Sequence, residues 1–370
     1  LLPLLLTVTL MTGLLDAQSL AALPSAEEVC RRYKEDYRTR YGPQRFSNVE
    51  PISPGVDPVR CMSSSVPDEP FLADAERRLA FYRWIVGLAP VPLNEAKQRD
   101  SQRCALMMAM NGNPGSPYFH ASDDPHTEHR EWLCRDNDAS NAAAQSNIYF
   151  GQSVPQLRYE WQTLPADILA GFVVDLQSWK QGHRQSILCP NLAYATFGHA
   201  CFRDDITTRH FCGGCQWALA RDSKPMPDGG FVAWPPAGYV PHDLVGNYYY
   251  WSFAAFASSA SVQSGGQQPQ VFVNNAQVQS QLVPALCTGQ GIGQDSAQAW
   301  PDDGSALWWL RFKPTDNDIE RVHIDVRVRF PTDNREWRYS VRRVDCDTIT
   351  PAPTPLPTPL PTPLPTPLPT

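Results

Sequence analysis

The chain has 370 residues, of which 42% are hydrophobic, and it carries a formal net charge of -7. This length is typical of two domains, each large enough to bury a hydrophobic core. Because the sequence is mildly acidic and has no basic stripe that would neutralise phosphates, we expect no nucleic-acid partner.

An apolar run occupies residues 1–15 and leads into the sequence LDAQS, a small-residue cleavage site near Ala17. The run is shorter than a membrane span, so the pattern predicts a secretory signal peptide over residues 1–18. A buried helix is the alternative interpretation. No later run of about 18 apolar residues occurs, and we expect no membrane span beyond the signal peptide.

Ten cysteines are spread along the chain, an even count that, after a signal peptide, indicates disulfides in an oxidising compartment. Neighbourhood along the chain favours four pairs: Cys30–Cys61, Cys104–Cys134, Cys189–Cys201 and Cys287–Cys346. The remaining two, Cys212 and Cys215, lie in HFCGGCQW beside His210. One Cys-x-x-Cys is an incomplete zinc site, so disulfide use is favoured over a metal or redox role.

Residues 19–70 are rich in proline, serine and charge and predict a leader arm. Three helices follow from the spacing of apolar residues and from their caps, over residues 71–88, 94–112 and 165–181. A long polar stretch, residues 113–147, separates the second helix from the third, and loops of this length are often functional. Its three histidines are His120, His126 and His129.

Short aromatic and β-branched segments begin near residue 192 and predict strands, which makes the first domain mixed α and β. From residue 251 to 348 the helical period vanishes, and alternating segments predict a small antiparallel β-sandwich. Trp308 and Trp309 alternate faces on one of these strands, so an exposed tryptophan for sugar stacking competes with core packing. Residues 349–370 repeat proline too often for a helix or a strand ladder and predict an extended spacer.

Several segments in this order resemble the CAP superfamily (cysteine-rich secretory proteins, antigen 5 and pathogenesis-related 1, also called SCP/TAPS), in its bacterial and protist-type branch. They are RRLAFYRWIVGLAPVPL, CALMMAMNG, EWLC, AAAQSNI, GHRQSILCPNLAYATFGHA, VAWPPAGYVP and YYWSF. The resemblance implies an α+β fold, an α-β-α sandwich over residues 71–250. The β-sandwich that the alternating segments predict after it would be Ig-like. It also implies a secreted protein that binds a sterol, another lipid or a surface ligand.

The resemblance further implies a central cleft with two histidines and two glutamates that can hold a divalent metal. His183, in GHRQSIL, matches the second family histidine, and either His120 or His126 matches the first. The glutamates do not match. Ser146 stands where the family has its first glutamate, followed by Asn147, and VVDLQSWKQG contains no glutamate for the second.

Two imidazoles without carboxylates make a weak zinc site, so we expect no resident metal and no cofactor. The missing carboxylate also removes the obvious general base of a hydrolase. Were zinc bound tightly, the nearest carboxylates in the sequence would be Glu128, Glu131 and Glu160. The alternative for His183 is a partly buried histidine at a helix end that hydrogen-bonds a neighbour.

Three functions remain open from the sequence. The favoured one is a secreted, non-catalytic binding module for a lipid or a surface, displayed on the proline-rich stalk. The second is an extracellular hydrolase or peptidase that uses the histidines with a metal or with a serine such as Ser146. The third is a structural protein of a cell wall or matrix. The proline-rich stalk fits the first and the third function equally well.

Overall fold

The computed structural model of the chain describes residues 23–38, 69–112, 116, 119, 125–127, 132, 134–153, 165–175, 182–203, 210–218, 230–245, 250–258, 268–283, 305–330 and 335–349. Within these ranges the protein is a mixed α+β structure with several β-sheets. The predicted signal peptide, the proline-rich tail, His120 and most of the polar stretch lie outside them.

The described helices are α1 (Ala26–Arg32), α2 (Glu69–Ile85), α3 (Glu95–Asn111), α4 (Asn137–Ala143), α5 (Pro165–Val174), α6 (Gly182–Ile187) and α7 (Asp316–Ile319), and a π-helical turn, Tyr33–Tyr37, extends α1. Helix α3 has the predicted ends, since the Asn94 side chain caps its first turn and Gly112 follows its last residue. Helix α5 ends earlier than predicted, because Asp175 adopts a left-handed backbone with φ of 52°. Among the described helices, none combines the length and apolarity that a membrane crossing requires.

The strands are β1 (Ser146–Ser153), β2 (Thr196–Arg203), β3 (His210–Trp217), β4 (Phe231–Trp234), β5 (Gly238–Pro241), β6 (Trp251–Ser258), β7 (Gln270–Val273), β8 (Ala276–Val278), β9 (Ser280–Val283), β10 (Ser305–Phe312), β11 (His323–Phe330) and β12 (Arg335–Val344). They form three sheets, in the orders β1-β3-β2, β4-β6-β10-β9 and β5-β12-β11-β7-β8. All described pairings are antiparallel except β5 with β12 and an isolated bridge of Leu93 with Ala195.

The sheet β1-β3-β2 carries a helix on each face. Helix α3 lies so close to one face that a Cβ at Gly198 would collide with the backbone carbonyl of Ser101. On the other face, Gly214 lies under Ile168 of α5. Glycine at these strand positions therefore permits a helix–sheet–helix arrangement of three layers.

The other two sheets pack face to face, and each includes one strand from before residue 250, β4 in one and β5 in the other. Phe231 and Phe253 of one sheet pack against Tyr339 of the other at ring-centroid distances of 5.4 and 6.3 Å. Trp308 is on the face that points to the second sheet and is partly buried against this core. Trp309 is on the opposite face, which also carries Trp234, and is fully buried there. The sandwich therefore uses these tryptophans for packing.

The sandwich and the helices α2 and α5 share one continuous hydrophobic core. Tyr82 of α2 meets Trp234 of β4 edge-on, with ring centroids 5.4 Å apart. Strand β4 pairs with β6, so one sheet spans the domain boundary that we predicted at residue 250. The cluster of buried side chains is unbroken from α2 to β12.

Two disulfides join parts of the chain that are far apart in sequence. Cys30 of α1 bonds Cys346, just after β12, and Cys104 of α3 bonds Cys215 of β3. The predicted pairs Cys30–Cys61, Cys104–Cys134 and Cys287–Cys346 are therefore wrong. Neighbourhood along the chain misled here, because α1 packs on the end of the sandwich and α3 packs on β3.

The other cysteines concern the Cys-x-x-Cys sequence and the predicted pair Cys189–Cys201. Cys134, Cys189 and Cys212 are also disulfide-bonded. Both cysteines of the Cys-x-x-Cys sequence are thus oxidised, as the disulfide interpretation predicted, and their thiols are not free to bind a metal. The side chain of Cys201 lies outside the described residues, so the pair Cys189–Cys201 stays a prediction.

Candidate functional site

His183 lies in the first turn of α6, where it contacts the residue that ends α5. Its Nδ1 is 3.0 Å from Oδ1 of Asp175, whose side chain is almost fully buried. The other carboxylate oxygen, Oδ2, accepts the backbone N–H of Arg184 at 3.2 Å. Both oxygens of Asp175 are thus occupied by the start of α6.

This contact corrects one step of the sequence analysis. The stretch VVDLQSWKQG has no glutamate, but its aspartate, Asp175, supplies a carboxylate to His183. A carboxylate only accepts hydrogen bonds, so Nδ1 of His183 carries the proton and donates it. In the neutral ring Nε2 is then the acceptor, free to act as a base or to receive a hydrogen bond.

The imidazole of His183 has one apolar neighbour and one open side. The ring of Phe172 lies 4.9 Å from it, centroid to centroid. The side chain of His183 is 30% exposed, whereas that of Asp175 is 1% exposed. The buried carboxylate therefore orients a ring whose outer part meets solvent and whose inner part packs on the buried side chain of Phe172.

Asn147 holds the first turn of α6 against the sheet. It is 1% exposed, and its Nδ2 donates to Ser186 Oγ at 2.8 Å and to Gln216 Oε1 at 3.1 Å. Ser186 Oγ in turn donates to the backbone carbonyl of His183 at 2.8 Å. Asn147 thus positions the backbone of His183 through Ser186.

Ser146 lies on the opposite face of the sheet from this network. Successive residues of a strand point to opposite faces, so Ser146 and Asn147 diverge. Ser146 pairs with Trp217, which shares its face of β3 with Cys215, the residue bonded to Cys104 of α3. Ser146 is fully buried there, and its Oγ has no hydrogen-bond partner within the part of the chain that the structure describes.

The other predicted site residues are placed only in part. His126 lies near the start of β1, where its Nδ1 is 2.7 Å from the backbone carbonyl of Ala143 at the end of α4. His120, Glu128, Glu131 and Glu160 lie outside the described residues. A pairing of His183 with His120 or His126 across a cleft therefore stays a prediction.

A zinc site centred on His183 and Asp175 does not fit their bonding. Asp175 already gives one oxygen to Nδ1 of His183 and the other to a backbone N–H. Its role toward His183 is that of an orienting carboxylate. Of the four polar side-chain atoms of the pair, Nε2 is then the one without a partner among the described residues. Within the described residues, no group of three or more histidine, cysteine, aspartate or glutamate side chains converges on a metal position.

Arg184, the last residue of the GHR sequence, is structural. It is fully buried, and its guanidinium donates to the carbonyls of Val173, Val174 and Tyr250 at 2.6–2.7 Å. These bonds satisfy carbonyls at the end of α5 and tie that end to the sandwich. Burial lowers the pKa of Arg184 to about 10.

The sequence pattern found His183 and Asn147, but it missed Asp175, Phe172 and Gln216. No local signal marks these three, because only the fold brings α5, α6 and β3 together. Comparisons of the chain with protein-family models, with curated proteins and with solved structures gave no match.

Proposed function

We propose that the protein is a secreted CAP-like binding module in which His183 contacts a lipid or surface ligand, followed by an Ig-like β-sandwich and a proline-rich stalk. The three-layer arrangement of α3, the sheet β1-β3-β2 and α5 supports the resemblance to an α-β-α sandwich. The disulfides Cys30–Cys346 and Cys104–Cys215 fit an oxidising, extracellular compartment.

The observation that carries the proposal is the orientation of His183. Asp175 fixes its Nδ1, so Nε2 is presented as an acceptor beside the ring of Phe172. A ligand with a hydroxyl group matches this acceptor, because the hydroxyl would donate to Nε2. Phe172 is 4% exposed and supports the imidazole from the core side without offering a surface to the ligand. Sterols carry such a hydroxyl group on an apolar body.

The test is equilibrium binding of a fluorescent sterol to the purified full chain, followed by fluorescence and confirmed by competition with unlabelled sterol. We expect saturable binding that weakens about tenfold or more in His183→Ala, since one hydrogen bond to a buried ligand is worth about 1–2 kcal/mol. The matched control is His242→Ala, because His242 is exposed elsewhere on the surface. Binding that is equal in all three proteins, or no binding at all, would refute a sterol site at His183.

The second candidate function is hydrolysis, and the Asp175–His183 pair is the observation that favours it. A carboxylate-oriented imidazole acts as a general base in hydrolases. Ser146 is not positioned to be its nucleophile, because Ser146 faces α3, so the base would activate a water molecule. Hydrolysis of a p-nitrophenyl ester by the purified protein, abolished in His183→Ala and retained in His242→Ala, would support this function. A rate equal to that of His183→Ala would reject it.

A further inference from the structure

We propose that the outer face of the sheet β5-β12-β11-β7-β8 is a binding site for an acidic oligosaccharide, a sugar chain that carries carboxylate or sulfate groups. This site is far along the chain from His183 and does not depend on the function proposed there. A groove of 540 Å³ lies on this face, bounded at one end by residues 23–25. Sites for small ligands have volumes of roughly 300–1,000 Å³.

Three arginines line the groove, although the chain as a whole has a net charge of -7. Arg327 of β11 lies directly opposite Arg338 of β12, and Arg342 follows on the same face of β12. Like charges directly opposite each other destabilise a strand pair. Arg327 leans away from Arg338 over Phe272 of β7, and Glu336 pairs with Arg338, so a bound anion would chiefly compensate the charges of Arg327 and Arg342.

Two of the arginines stack on aromatic rings and have no anionic partner among the residues that the structure describes. Arg327 lies 4.1 Å over the ring of Phe272, and Arg342 lies 5.6 Å over the ring of Tyr239. Among the described residues, no carboxylate forms an ion pair with either guanidinium, whereas Arg338 pairs with Glu336. Stacking fixes the plane of a guanidinium and leaves its edge available for two parallel bonds to a carboxylate or sulfate.

Asp325 lies between the cations and favours a hydroxylated ligand. It lines the groove with Ser340, whose Oγ donates to Asp325 Oδ1 at 2.6 Å. Asp325 would repel a ligand that presents only negative charge, but it accepts a hydrogen bond from a hydroxyl group. Arg338 and Arg342 are four residues apart, about 13 Å along a strand, so anionic groups separated by hydroxyl groups match the face.

The test uses isothermal titration calorimetry with the full chain at low salt. The acidic probes are tetragalacturonate and a heparin tetrasaccharide. The control ligands are methyl-esterified tetragalacturonate, which has the same hydroxyl groups without charge, and a tetraglutamate peptide, which has carboxylates without sugar hydroxyl groups. We expect binding of at least one acidic sugar, at least tenfold tighter than binding of either control, and weaker as salt rises.

The variants locate the site. Arg327→Gln and Arg342→Gln should each weaken binding of the acidic sugar by tenfold or more. Arg329→Gln should not, because Arg329 is exposed on the same strand face but does not line the groove. The proposal is overturned if neither acidic sugar binds, if tetraglutamate or the ester binds as tightly, or if Arg329→Gln has the same effect as Arg327→Gln. All three arginines reach solvent, so these variants retain the core, and thermal unfolding checks that they fold.

Discussion

The carboxylate of Asp175 accepts the Nδ1 proton of His183 at 3.0 Å, across the break between α5 and α6. The left-handed backbone of Asp175 makes this possible, because it ends α5 and turns the carboxylate toward the start of α6. The contact fixes one tautomer of His183. Among the described residues, His183 is the only site histidine that contacts both a carboxylate and an aromatic ring.

Replacing Asp175 by asparagine should change that tautomer. Asparagine tolerates the left-handed backbone and keeps an oxygen for the N–H of Arg184, but its amide would donate toward Nδ1. We expect the proton of His183 to move from Nδ1 to Nε2, which long-range ¹⁵N–¹H NMR spectra of the ring distinguish. The signals of His242 serve as the control and should not change. An unchanged His183 ring in Asp175→Asn would show that Asp175 does not set its tautomer.

Arg184→Lys should destabilise the fold although it retains the charge. A lysine ammonium cannot reach the three carbonyls of Val173, Val174 and Tyr250 with the geometry of a guanidinium. We expect a loss of about 2–4 kcal/mol in the free energy of unfolding, measured by urea denaturation. Arg329→Lys, at an exposed position, is the matched control and should stay within about 0.5 kcal/mol of the parent.

Two glycine substitutions should have opposite effects. In Gly198→Ala the new methyl group would collide with the backbone of α3 at Ser101, which cannot shift without moving the helix. We expect the free energy of unfolding to fall by about 3 kcal/mol or more in this variant. Gly171→Ala, in α5, meets no atom within 4 Å and should be neutral or stabilising by up to about 1 kcal/mol. Thermal unfolding of both variants tests the close packing of α3 on the sheet. Equal melting temperatures for Gly198→Ala and Gly171→Ala would contradict that packing.

Acid should destabilise the protein through His199. Burial lowers the pKa of His199 to about 4, from 6.5 in an unfolded chain. Between these values the unfolded state binds the proton and the folded state does not, so stability is full above pH 6.5 and falls as pH drops toward 4. Because His199 keeps some solvent exposure, the free energy of unfolding falls by at most about 3 kcal/mol over this range. Urea denaturation from pH 7.5 to 4.5 measures it, and His199→Gln should flatten the profile whereas His242→Asn should not.

Peptide mapping without reduction should recover the two long-range disulfides. We expect one linked peptide pair containing Cys30 and Cys346 and another containing Cys104 and Cys215. Reduction before digestion is the control and should abolish both. A Cys104–Cys134 linked pair in their place would restore the prediction made from neighbourhood along the chain.

The sequence predicts those features of the fold that depend on nearby residues. Asn94 and Gly112 mark the ends of α3, and alternating segments after residue 251 form strands such as β11 and β12. Strand β1 was missed, because it starts inside a segment that looks polar. The contacts that build the site were missed for a different reason.

Those contacts join residues whose partners are set by the packing of whole elements. Asp175 reaches His183 only because α5 stops at its left-handed residue, and Asn147 reaches Gln216 only because β1 pairs with β3. The same limit explains the disulfides. Cys30 finds Cys346 across 316 positions of sequence, a separation at which spacing has no predictive value.

The bond between Cys30 and Cys346 also determines how the protein responds to a mechanical pull from its proline-rich side. Force applied beyond Ile349 reaches Cys346 first and divides there between two covalent routes, strand β12 and helix α1. Peeling β12 away from β5 and β11 then requires α1 to leave with it, together with the Arg38–Asp347 ion pair. In an oxidising environment the sandwich therefore resists unzipping from this end, and a reductant would weaken it under tension.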